Sequence, residues 1–126
     1  MPDENANVGK DGRLFPRFEY LECAMIYRDG SPEPYRAMIV DIGLGGVQLR
    51  SKEVLPINEE LAIHIGQDQG QPLTVKGFIR YSHASDKEEH FYVSGFKFTP
   101  ANHEERAAVA HYVHNVFTGQ WNKLAG

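Results

Sequence analysis

A single cysteine among 126 residues excludes an internal disulfide and leaves any thiol-metal cluster short of ligands. That residue, Cys23, sits in the apolar run 21–26, so it is expected to pack inward as a small hydrophobe. No apolar stretch approaches the roughly 20 residues that cross a bilayer, which argues against membrane insertion. Residues 1–7 lack the positive flank and apolar centre of a secretory signal, and with the scarce cysteine this points to the cytoplasm. Basic excess is missing too: 13 Lys and Arg stand against 17 Asp and Glu, a net charge of −4. A general binder of nucleic-acid polymers needs a cationic face to displace counterions from phosphates, so that class is disfavoured. The chain also lacks a nucleophile elbow, a lysine-bearing phosphate loop and a paired acid and base in one segment. It is expected not to be an enzyme and to need no cofactor. Among its histidines, His111 and His114 fall three apart with His103 upstream, but no carboxylate completes a close helical motif, so no metal site is assigned.

What is present fits one small domain. Residues 1–12 carry Gly9, Asp11 and Gly12 without apolar periodicity, the composition of a flexible N-terminal arm. Period-two runs follow at 18–27, 35–42, 47–50, 60–65, 73–81 and 90–99, separated by turn residues. The first run has Leu21, Cys23, Met25 and Tyr27 as its inward set, and residues 82–89 are polar enough for a surface loop. Gly95 inside the last run marks a bulge or a close backbone approach. Asn102 with Glu105 three residues on forms a helix start. Val109, Tyr112, Val113, Val116 and Phe117 make one buried helix face, and Gly119 is expected to stop it. The fold class is therefore mainly β: a six-stranded antiparallel small β-barrel with a C-terminal helix at about 103–117. The domain is placed at 13–117 and a C-terminal tail at 118–126.

One region offers ligand chemistry. Arg13 and Arg17, four apart on the arm with Pro16 limiting the backbone between them, can approach one anionic ligand from different directions. A guanidinium donates bidentate hydrogen bonds to phosphate or a guanine edge and stacks on a base. About two dozen residues later comes Asp41-Ile42-Gly43-Leu44-Gly45-Gly46, where the carboxylate of Asp41 can accept from a ligand amino group and the glycines allow amides to be exposed. Arg50 and Arg80, on strands, are left outside the site.

These motifs resemble the PilZ family, whose members pair an RxxxR segment with a [D/N]xSxxG turn and bind cyclic di-GMP. RxxxR is Arg13 to Arg17, and the second motif is Asp41 to Gly46. Val93-Ser94-Gly95-Phe96-Lys97-Phe98 is similar to the family's last barrel strand, so the resemblance runs from about Gly12 to Phe117. It implies a bacterial receptor in which Arg13, Arg17, Asp41, Gly43 and Gly46 hold cyclic di-GMP. The arm changes surface on binding and signals to a protein of a motility, pilus or polysaccharide system. Gly43 departs from the family serine; losing a hydroxyl that bonds the ligand costs about 1.5–3 kcal/mol, or about ten- to a hundredfold in affinity. The alternative is a degenerate PilZ-like interaction module that binds no cyclic di-GMP.

Overall fold

The computed structural model describes residues 17–66 and 72–125, with side chains described for 20–66 and 72–119. The period-two runs become six strands: β1 (Arg17–Arg28), β2 (Tyr35–Gly43), β3 (Gly46–Ser51), β4 (Glu60–Ile65), β5 (Leu73–Ala84) and β6 (Tyr92–Phe98). One helix, α1 (His103–Ala125), follows. The strands close into an antiparallel barrel in the order β1-β2-β3-β6-β5-β4, with β1 pairing β4 to complete the ring. This is the mainly-β, six-stranded architecture expected from the patterning, and closure satisfies strand edges that would otherwise be exposed.

Each strand sends a large apolar side chain into one core: Ile26, Ile39, Leu49, Ile63, Val75 and Phe96 are all at most 1% exposed. Burial of such a side chain contributes roughly 1.5–3 kcal/mol, so strand faces are set by which choice completes this cluster. On β1 that choice reverses the expected orientation. Ala24 and Ile26 face inward because they pair with Ile65 and Ile63 of β4, whereas Leu21 is 72% exposed and Cys23 lies on the outer surface. Each face of that run carries large apolar residues, and the face made more polar by Glu22 is the one turned inward, so alternation alone picks the wrong side. The inner polar residue is Glu22, whose carboxylate accepts a hydrogen bond from the Cys23 amide at 3.2 Å.

β5 also differs from expectation. It runs on to Ala84, through residues whose polarity suggested a loop, because a register shift between Ile79 and Tyr81 turns Ser82 inward. There the Ser82 hydroxyl accepts from the Leu55 amide and from the Ser94 hydroxyl, and these bonds offset the cost of its burial.

The helix starts as expected. Asn102 Oδ1 accepts from the Glu105 amide at 2.9 Å, and Glu105 Oε1 accepts from the Ala101 amide, satisfying amides left free at a helix start. Val109, Tyr112 and Val113 are buried against the barrel, while Phe117 is largely exposed. Gly119 does not end the helix, which continues to Ala125. An interior glycine costs about 1 kcal/mol relative to alanine but stops a helix only when the chain turns left-handed there.

The Tyr112 hydroxyl meets the Tyr20 hydroxyl of β1 at 2.7 Å, fastening α1 to the strand that begins with Arg17. Burial, foremost, raises the pKa of both phenols above the ordinary 10.0. The neutral forms are favoured by folding, so this contribution is intact below pH 10 and fades as the pH climbs past it. Thermal unfolding should show a lower Tm at pH 10.5 than at pH 8, with a smaller drop in Tyr112→Phe.

Candidate functional site

Pairing of β1 with β2 brings together two segments far apart in the chain. Arg17 stands opposite Gly43, Phe18 opposite Ile42 and Glu19 opposite Asp41, with paired Cα atoms about 5 Å apart. Irregularities flank this stretch: β1 shifts register between Glu19 and Glu22, and β2 shifts against β3 between Ile39 and Asp41. Such bulges bend strands and re-aim the residues beyond them. The end of β1 that carries Arg17 is thus seated beside the glycine-rich turn.

That turn is pinned from beneath. The Gly45 carbonyl accepts from the Phe98 amide at 2.9 Å, and Gly46 pairs with Lys97 of β6. A Cβ on Gly46 would collide with the Phe96 carbonyl oxygen, so β3 and β6 approach as closely as they do only because residue 46 has no side chain. Left-handed backbone among the described glycines occurs at Gly30 and Gly66. Room, rather than handedness, is what the turn requires. Gly43 is buried, Asp41 half-buried and Leu44 exposed.

The fold adds residues that the local motifs did not reveal. Gln48 lies opposite Asp41 on one side and Gly95 on the other, and exposed Lys97 is placed beside Gly46. Neither belongs to a recognisable spacing; only the register of β3 and β6 brings them to the turn. Arg50 is engaged elsewhere, its Nε 2.9 Å from Glu88, and Arg80 is exposed at the β5 irregularity.

With this geometry in place, comparison with known families is decisive: the PilZ domain matches residues 11–115. The chain belongs to the PilZ family.

Solved structures share the fold. The PilZ domain of YcgR from Escherichia coli with c-di-GMP superposes with a TM-score of 0.65 at 15% identity, covering 90% of this chain and 97% of that one. K. pneumonia MrkH in complex with c-di-GMP gives 0.68 at 16% identity, covering 88% of this chain and 54% of that one. The Bacillus subtilis inhibitor of motility MotI/DgrA gives 0.65 at 16%, covering 88% and 52%. The present chain thus spans about half the length of MotI and MrkH. No curated protein matches it.

Of the PilZ motif residues, Arg17, Asp41, Gly43 and Gly46 fall at one end of the β1–β2–β3 sheet. Arg13 and the arm at 1–12 lie outside the described residues. His103, His111 and His114 are exposed on α1, and no group of three metal-ligating side chains occurs among the described residues. No described helix is long and apolar enough to cross a membrane.

Proposed function

We propose that this PilZ domain is a cyclic di-GMP receptor. The observation that carries the reading is the register of Arg17 opposite Gly43, with Asp41 two residues away: a guanidinium-bearing strand end sits beside a turn of compact backbone, next to a carboxylate. In this reading Arg13 and Arg17 grip phosphates and guanine faces, Asp41 accepts from a guanine amino group, and Gly43 and Gly46 expose amides of the turn to the ligand. MrkH and YcgR, which share the fold, were solved with c-di-GMP. Binding changes the N-terminal arm and the surface offered to a protein partner of a motility, pilus or polysaccharide system in the bacterial cytoplasm. No bond is broken, so the domain acts as a receptor rather than an enzyme. Gly12, immediately before Arg13, lacks the further arginine that favours a stacked ligand pair, and one ligand binds per chain.

Calorimetric titration of the full chain in low salt should give saturable cyclic di-GMP binding; none at high micromolar ligand overturns the reading. Gly43, in place of the family serine, supports a second one, a ligand-free interaction module that binds its partner regardless of nucleotide. Restoring the hydroxyl separates them. Gly43→Ser should tighten an existing cyclic di-GMP affinity by about ten- to a hundredfold, whereas a ligand-free module stays silent in both forms.

A further inference from the structure

Beyond the receptor reading, we propose that in the ligand-free chain the outer face of β1 and β2 docks a second copy of this chain, about a two-fold axis through the row of Cys23 and Met38. A strand with one solvated face alternates apolar with polar residues, whereas a strand covered on both sides reads as a nearly continuous apolar run. β1 is of the second kind. Its inward residues Ala24 and Ile26 join the core, yet Leu21, Cys23, Met25 and Tyr27 occupy the outer side. Leu21 is 72% exposed and the neighbouring Met38 of β2 is 38% exposed. Cys23, paired with Met38 in the ladder, is exposed as well. The flanking strands lack this character: on the same side β3 presents Gln48 and Arg50, and β4 presents Glu60 and His64. A contiguous apolar patch of this kind marks an interaction surface.

The ladder register makes the two ends of this face complementary to each other, which favours a second copy over an unrelated partner. Cys23 pairs with Met38, Met25 with Arg36, and Glu19 with Asp41. Counted along β3, Asp41 lies opposite Gln48 and Met38 opposite Arg50, so the bulge in β2 adds nothing to the separation. Arg36 and Asp41 therefore stand two ladder steps to either side of Met38, each about 6.8 Å away along the strands. Arg36 is exposed and forms no ion pair among the described residues.

A half-turn about an axis lying in the face and perpendicular to the strands exchanges the two ends. Arg36 then comes over Asp41 and Glu19 of the second copy, Leu21 over its Met25, and Cys23 over its Cys23. Such an arrangement is isologous and closes as a dimer. Sheets stacked this way run within about 30° of each other and about 10 Å apart, a gap that side chains from both faces fill. Arg50 continues the axial row on β3, but Glu88 already neutralises it at 2.9 Å.

Sedimentation equilibrium of the ligand-free full chain at high micromolar concentration should give a mass twice that of the monomer. Leu21→Glu and Arg36→Asp should each return the monomer mass. Arg36→Asp combined with Asp41→Arg, which swaps the charges of one pair, should restore the dimer. A short bismaleimide should join Cys23 to Cys23 in the wild-type protein and join nothing in Cys23→Ser, a readout that needs no altered interface to fold. A monomeric wild type, a dimer indifferent to Leu21→Glu, a folded charge swap that stays monomeric, or a dimer that the bismaleimide leaves unjoined overturns the proposal. A monomer whose Cys23 resists thiol reagents also overturns it, by showing that the same chain covers the face. The receptor reading is tested separately by the cyclic di-GMP titration.

Discussion

Arg17→Ala should abolish detectable cyclic di-GMP binding, with an affinity loss of at least a hundredfold in calorimetric titration. Arg17 opens β1 directly opposite Gly43, so its position is fixed by the backbone ladder of the barrel. A charge-assisted hydrogen bond is worth about 1.5–3 kcal/mol, and a guanidinium can form two to one phosphate while its plane covers a base. Two such contacts exceed the roughly 2.7 kcal/mol that corresponds to a hundredfold change. Arg17→Lys separates charge from shape: the ammonium keeps the positive potential but cannot form the planar fork, so it should recover only part of the loss. Thermal unfolding of Arg17→Ala should match wild type. An Arg17→Ala protein that folds and binds within threefold of wild type would remove the proposed site.

Gly46→Ala should produce the largest loss of stability of any small substitution in the turn, about 3 kcal/mol, or a Tm lower by about 12 °C. The added methyl meets the Phe96 carbonyl oxygen, with the carbonyl carbon at 3.1 Å and Lys97 Cα at 3.2 Å. All three are main-chain atoms of the neighbouring strand, so no rotamer change relieves the overlap; β3 must part from β6. The same movement strains the Phe98-to-Gly45 hydrogen bond that pins the turn. Gly119→Ala is the control, since a Cβ there meets nothing within 4 Å. Replacing a helical glycine by alanine should raise stability by up to about 1 kcal/mol. Equal Tm values for Gly46→Ala and wild type would show that the strands tolerate separation and that the turn is not held as described.

Much of this architecture was legible in the chain itself. Leu61, Ile63 and Ile65 alternate with more polar neighbours, and period two admits one extended solution with those three inside. Asn102 and Glu105 carry the short polar side chains that satisfy free amides at a helix start. The RxxxR and Asp41–Gly46 motifs were visible because their chemistry lies in residue type and local spacing. Other features were hidden for equally definite reasons. Residues 21–27 carry apolar side chains on both faces and Glu22 on the one that turns inward, so the inward face of β1 was decided by its pairing with Ile63 and Ile65. Gly119 looked like a stop, but a glycine ends a helix only through a left-handed turn, and the chain does not make one there.

Sequence alone therefore determined the strand count, the helix start, the family and the identity of the ligand-chemistry motifs, since each depends on short-range periodicity or residue chemistry. Tertiary structure decided that Arg17 meets Gly43, that Gly46 must lack a side chain, and that Gln48 and Lys97 lie beside the turn. Those facts depend on strand register and on single-residue bulges, where a shift of one position sends a side chain to the opposite face, and pairing partners distant along the chain set that position.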